Sequence, residues 1–452
     1  MIKNYILTAF KIFQRRKFFT FASLFAISFT LVVLMVTVSL LENMFGPMPP
    51  ESRANRILGV FKIQLRDNKG TRDYEGPPDI KIIDQYVRGM PGVEKVAVLD
   101  SGDSTKVVLQ SGEKIKLRVK RTDAVFWEIM DFTFIEGHPY TEDDCKKNNF
   151  VAVINETIRN KIFGKRPALG KWIDIDSEKF RVVGVVKDVS SFRQIPFSEI
   201  WRPIVTQKQL APPGYALLLA GSASDIPAIK AEFQSRLKER ELPNPGVISF
   251  FNSENIHWKH ITSRAETFFE MKTEGLRSGS LYSRLQGFFN MKGFAHISFN
   301  ENPSDKPDIE NYRPGSWVTI LITTMFLFML LPTINLANMN ISRIMERGSE
   351  IGVRKAFGAS SWILVGQFVT ENVILTLVGG LLGFIFTLSV LHAITLSGWV
   401  PYGDFRINFR IFLYALSLTL CLGLISGVYP AWKMSRLHPV TALRGTMEGE
   451  NR

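Results

Sequence analysis

One stretch, Ser342–Ser360, sets charged residues between two apolar segments and reads SRIMERGSEIGVRKAFGAS. Arg343, Arg347, Arg354 and Lys355 stand against Glu346 and Glu350, so the stretch cannot lie in hydrocarbon although an apolar segment precedes it and another follows it. As far as Val353 the pattern is helical: Ile344, Met345 and Ile351 recur at turn spacing, and Glu346 and Glu350 are an i,i+4 pair. Gly352 lies within that run, and Gly358 offers a stop, because glycine tolerates the left-handed conformation that closes helices. A short polar helix held between two membrane spans has two uses. It can set topology as an ordinary basic loop, or it can present a charged face to a cytoplasmic partner.

Other chemistries lack their residues. No G-x-x-x-x-G-K-[ST] occurs, so the sequence offers no phosphate cradle of the P-loop kind, and neither H-E-x-x-H nor G-x-S-x-G is present. His257 and His260 share a helical spacing but lack a third ligand, which argues against a metal site. Of the two cysteines, Cys145 falls in a polar region and Cys421 in an apolar one, so no disulfide framework is expected.

The elements that must hold the charged stretch are apolar helices. The chain has 452 residues, 46% of them hydrophobic, and a mean hydropathy of +0.06. That balance fits a few membrane helices joined to a large polar domain. The net charge is +13. Without a zinc knuckle, an RNA-recognition signature or a basic heptad region, this charge is read as a topology signal at the lipid bilayer and not as nucleic-acid binding.

Residues 1–17 carry five basic residues and no acid, with Ile2, Tyr5, Ile6, Ala9, Phe10 and Phe13 at helical spacing, which predicts an amphipathic helix on the cytoplasmic membrane face and not a cleaved signal peptide. Phe18–Leu41 is free of charge and as a helix would be roughly 36 Å long, enough to span. Further spans are expected at 316–340, 368–391 and 411–429, with a short outer loop at 393–408 and a tail at 430–452. Gly379/Gly383 and Gly423/Gly427 are small-xxx-small pairs of the type that lets helices pack closely. Glu371, near the cytoplasmic end of the third span, either snorkels or caps, or pairs with a base of the charged stretch.

Between the first two spans, 42–315 reads as one α+β excursion of about 275 residues, large enough for its own core. Helices are expected over 79–90, 155–163 and 226–240. Strands are expected over 93–99, 106–110, 114–119, 150–154, 172–175, 180–186 and 215–219. The strand and helix after 215 suggest a second α+β subdomain. Residues 261–276 and 281–289 read as helices. Because 1–17, 341–361 and 430–452 are basic, both termini and the charged stretch are placed inside and 42–315 outside. The fold class is therefore four transmembrane α-helices with a large α+β extracytoplasmic domain between the first and the second.

The charged stretch closely resembles the signature S-R-x-x-E-R-x-x-E-I-G-V-R-K-A-x-G-A-S of the FtsX/MacB-like permease family of ABC transporters. A looser resemblance covers Gly137–Asp188, with Asp144, Val151–Glu156, Ile162–Gly164, Leu169–Lys171 and Val182–Asp188 matching the family's outer domain. The end, Tyr429–Arg444, resembles the family's closing motif, with Met434 and His438 as departures. The resemblance implies a multi-pass permease of a bacterial cytoplasmic (inner) membrane. It implies contacts from Arg343, Glu346, Arg347, Glu350, Ile351, Gly352, Arg354, Lys355 and Gly358 to a separate ABC ATPase subunit. No cofactor is expected in this chain, ATP and Mg being used by that partner. A homodimer, or a pseudo-dimer with a related permease, follows, with a membrane-fusion protein as a further partner. The implied activity is export or extraction of a drug, peptide or lipoprotein by motion of the outer domain. The alternative is an FtsX-like signalling subunit that regulates a cell-wall hydrolase.

Overall fold

The computed structural model describes residues 13–15, 17–67, 73–108, 113–164, 166–204, 214–239, 258–277, 353, 357, 360–398, 400–403, 405 and 409–435. The chain divides into two compact units. One comprises Met1–Glu42, Thr319–Val400 and Asp404–Arg452, and the other Asn43–Val318 with Pro401–Gly403.

In the first unit, three long helices are described: Lys17–Phe45, Ser361–Leu396 and Phe409–Ser435. Thr20–Phe45 and Val369–Leu396 are long and apolar enough to cross a bilayer, and the third helix is apolar over Phe409–Cys421. The expected span at 316–340 and nearly all of the amphipathic helix at 1–17 lie outside the described residues. Two boundaries differ from expectation. The first helix continues through Phe45, because nothing before Gly46 and Pro47 stops it. The helix holding the third expected span runs on to Leu396, so the outer loop begins at Ser397, beside Gly398 with its φ of +63°.

The second unit is α+β. Its described strands are β1 Ile57–Val60, β2 Ile63–Asp67, β3 Asp73–Gly76, β4 Val93–Leu99, β5 Asp103–Val108, β6 Lys114–Thr122, β7 Phe134–Gly137, β8 Val151–Asn155, β9 Trp172–Ile175, β10 Glu178–Val186, β11 Ile200–Pro203, β12 Tyr215–Ala220, β13 Trp258–Ser263 and β14 Glu266–Thr267. Among the described residues they form two sheets. The larger runs β11-β8-β10-β9-β5-β6-β4-β12-β1-β14, with β7 against β10, and the smaller runs β13-β2-β3. Because β11 also pairs in parallel with β6, six of these strands close on themselves. Alternate residues point into that ring: Val107, Leu117, Val119, Ala152, Ile154, Ile173, Ile175, Phe180 and Val182 are all buried there.

A second core lies where β1, β4 and β12 face the helices Ile80–Tyr86 and Ile226–Glu239, with Leu58, Ile83, Tyr86, Leu218, Ile229 and Phe233 inside. The strand and helix after 215 join this core, with β12 between β4 and β1 in the larger sheet. The helix expected over 261–276 is corrected. Residues 258–263 pair with β2 and Glu266–Thr267 with β1, so a helix forms only over Phe268–Arg277. The region 281–289 lies outside the described residues.

The motif around Gly137–Asp188 does mainly local structural work. Thr141 and Asp144 form a capping box on the helix Glu142–Lys146. Asn155 caps the helix Glu156–Phe163 through Ile158 N–H at 2.9 Å, and Asp188 accepts from the amide and hydroxyl of Thr157. Gly137 has φ +68°, and a Cβ there would sit 2.1 Å from the Val183 carbonyl oxygen, so the close pass of β7 over β10 requires glycine. Asp176 and Ser177 both take positive φ in the two-residue turn between β9 and β10.

Candidate coupling site

The expected contact residues Arg343, Glu346, Arg347, Glu350, Ile351, Gly352, Arg354, Lys355 and Gly358 lie outside the described residues. Three of their neighbours are described. Val353 is helical, and Phe357 closes one turn by donating its N–H to the Val353 carbonyl at 3.1 Å. The Phe357 side chain is 89% exposed within this chain. Ser360 then takes extended dihedrals as the N-cap of the helix Ser361–Leu396. The segment thus delivers an apolar ring beside its charges, a residue that charge patterning overlooked.

Behind that segment, the helix Ser361–Leu396 packs against the first helix through glycine. A Cβ on Gly379 would lie 2.7 Å from Ile27 Cγ2, and one on Gly383 3.0 Å from Leu31 Cβ. The Ser28 hydroxyl donates to the Gly379 carbonyl at 3.0 Å. Gly380, which the small-xxx-small pattern passed over, faces the other way: its Cβ would fall 2.5 Å from Leu416 Cδ1 of the third helix. Gly423 and Gly427 lie in the helix Phe409–Ser435, but their surroundings lie outside the described residues. Glu371 is buried and accepts from Gln367 Nε2 at 3.1 Å, one turn earlier on the same helix.

In the α+β unit, the chain segments that continue from these helices are held by polar side chains. Gly46–Glu51 follows the first helix. Glu51 is fully buried, and its Oε2 accepts from Arg193 Nη1 at 2.6 Å and from Lys272 Nζ at 2.5 Å. Arg193 also donates to the Met48 and Gly46 carbonyls, each at 3.1 Å, and Lys272 donates to that of Met44. Burial pushes the Glu51 carboxyl up, against the pull of Lys272 and Arg193, and pushes the Lys272 ammonium down. Glu51 is the one anion between two cations, so removing it leaves both uncompensated and costs about 3–5 kcal/mol.

The loop Val189–Glu199 that carries Arg193 is mostly buried although irregular, which obliges its polar groups to find partners inside the protein. Lys120 of β6 donates to the Gln194 carbonyl at 3.0 Å and to the Ile195 carbonyl at 2.5 Å. Ser198 Oγ bonds the Arg118 and Ile200 carbonyls, and Glu199 accepts from the Arg118 amide at 2.6 Å. Burial lowers the Lys120 ammonium from 10.5 to about 7, with Arg118 adding to the shift and Asp100 opposing it. On the loop's other flank, Ser191 N–H donates to the Pro401 carbonyl at 3.0 Å, the Tyr402 hydroxyl donates to Glu199, and the Phe197 and Tyr402 rings lie 5.8 Å apart. Nothing in the sequence marked these contacts. Among the described residues, no group of histidines, cysteines and carboxylates is placed to hold a metal ion.

Two family models match the chain. The MacB-like periplasmic core domain matches residues 20–236, and the FtsX-like permease C-terminal domain matches 322–439. The chain belongs to the FtsX/MacB-like family of ABC transporter permeases. Its relatives include the ABC transporter permease YvrN of Bacillus subtilis, 24% identical over 72% of this chain and 70% of that protein. The macrolide export ATP-binding/permease protein MacB of Bdellovibrio bacteriovorus is 25% identical over 69% of this chain and 41% of that protein. The pyoverdine export ATP-binding/permease protein PvdT of Pseudomonas aeruginosa is 26% identical over 78% of this chain and 46% of that protein. The chain thus spans less than half the length of these two exporters, whose names include an ATP-binding part, whereas both domains matched here are permease domains. As a permease of this family, it implies an ATPase partner.

Proposed function

We propose that this permease is a mechanotransmission subunit. ATP hydrolysis by a separate ABC ATPase would draw the charged segments 342–360 of two permease copies together, and the spans would carry that motion to the outer α+β domains. Transport would then take place between those domains, outside the bilayer, as export or extraction of a drug, peptide or lipoprotein. The observation that supports this reading most is the pairing of an independently cored α+β unit, Asn43–Val318, with a charged segment of the permease type. The size of that unit favours transport over a compact regulator of a cell-wall hydrolase. The relatives named for macrolide and pyoverdine export point the same way. In the proposed arrangement Arg347, Glu350, Arg354 and Lys355 meet the ATPase, with Phe357 as an apolar anchor in the same interface. The partner copy is either identical or a related permease, and a membrane-fusion protein would extend the path.

The test is charge reversal of Arg354 together with Lys355 in a chain co-expressed with its ATPase. Permease-dependent ATP hydrolysis is expected to fall by tenfold or more, in keeping with the loss of about 2 kcal/mol or more at buried charged contacts. Unchanged hydrolysis together with unchanged co-purification refutes the assignment.

A further inference from the structure

Three segments distant in sequence meet at the loop Val189–Glu199. Arg193 holds Gly46–Glu51, which follows the first helix, through two backbone carbonyls and the Glu51 carboxylate. Ser191 and Glu199 hold Pro401 and Tyr402, which lie between the last two helices in sequence but belong to the α+β unit. The loop itself is pinned to the sheet by Lys120 from below and by Ser198 and Glu199 on the Arg118 backbone.

This arrangement differs from two independent anchors. Arg193 and Ser191 are two residues apart, and the Arg193 and Phe197 amides donate to the Ser190 and Arg193 carbonyls, each at 2.9 Å, so the two contact sets share one hydrogen-bonded turn. Most of the loop is buried, with Gln194 exposed and Phe192 and Glu199 half-buried, and close-packed interiors transmit displacement instead of absorbing it. A pull on Glu51 moves Arg193 and hence the turn that orients Ser191, and a pull on Tyr402 moves Glu199 at the other end of the same loop. With Lys120 gripping Gln194 and Ile195 between them, the loop has no slack segment in which such a movement could be lost.

We propose that Val189–Glu199 is a clasp that couples the segment leaving the first helix to the turn between the last two, so that displacement of either is felt by the other. Arg193, Glu199 and Tyr402 are its positioning residues. The use of the clasp in transport rests on the function proposed above, but the coupling itself does not.

Peptide-resolved hydrogen–deuterium exchange on the full chain in lipid nanodiscs tests it. The variants are Arg193→Met and Tyr402→Ala, with Arg193→Lys and Tyr402→Phe as milder versions should either of the first two fail to fold. Coupled sites typically influence one another 5–150-fold, so Tyr402→Ala is expected to raise exchange about tenfold over Gly46–Ala54 as well as at 190–199. Arg193→Met is expected to raise it by a similar factor at 398–403, while β8 and β12 keep their protection. Arg193→Lys, which retains the charge but not the fork, is expected to restore part of the remote protection. If each variant loosens only its own side, the clasp is two separate anchors and the proposal falls. Because the measurement needs no ATPase, its failure leaves the ATPase-contact result untouched, and the reverse also holds.

Discussion

Replacing Lys120 by methionine is expected to remove a specific pH dependence from the stability of the α+β unit. Lys120 is fully buried on β6, and burial lowers its ammonium from 10.5 to about 7. In the unfolded chain the amine stays protonated up to about pH 10, whereas in the folded protein it loses its proton above about pH 7. Between those values the unfolded state binds more protons, so this group makes the folded state more stable as pH rises. One pH unit over that window is worth up to about 1.4 kcal/mol, and allowing for partial titration near pH 7 the gain from pH 7 to pH 9 is about 2 kcal/mol. Below pH 7 both states are charged and the dependence vanishes. The assay is denaturant unfolding of the detergent-solubilised chain followed by tryptophan fluorescence, since Trp127 and Trp201 lie buried in the same unit. Wild type is expected to gain about 2 kcal/mol more than Lys120→Met between pH 7 and pH 9. Parallel pH profiles for the two proteins would refute the reasoning, because they would mean that the amine keeps its proton throughout. The carbonyls of Gln194 and Ile195 would then have outweighed burial.

Gly137→Ala is expected to destabilise the α+β unit by about 3 kcal/mol, combining a left-handed φ with a Cβ placed 2.1 Å from the Val183 carbonyl oxygen. A shift of the denaturant midpoint checks it, and an unchanged midpoint would refute it. In the apolar unit, Gly379→Leu is expected to push Ile27, and the first helix with it, away from the helix Ser361–Leu396 and lower the detergent melting temperature, whereas Gly366→Leu, where nothing lies within 4 Å, should leave it unchanged.

The parts of this molecule that read correctly from sequence are those decided by neighbours along the chain. The strands 93–99 and 172–175 follow from alternation within a few positions. Residues 261–267 suit a helix locally through Ala265 and Glu266, and only pairing with β1 and β2, some two hundred positions earlier, makes strands there. The charged segment was recognisable as a string, since its residues lie side by side. The loop Val189–Glu199 was not, because Arg193, Glu51, Lys272 and Tyr402 come from four separate regions and carry no shared spacing. Phe357, between Ala356 and Gly358, stands out only through its exposure, because a charge pattern gives no weight to an apolar ring.

The order of strands has a consequence for how this protein is made. β1 takes its neighbours from β12 and β14, so the first strand to emerge from the ribosome waits unpaired until residues 215–220 have followed it. Over that interval its four buried positions, Ile57–Val60, form a bare apolar ribbon able to template pairing with other chains. Faster synthesis or export of the nascent chain would shorten that window, whereas a stall before β12 would prolong it, making aggregation during biogenesis sensitive to pauses over a stretch far from the strand at risk.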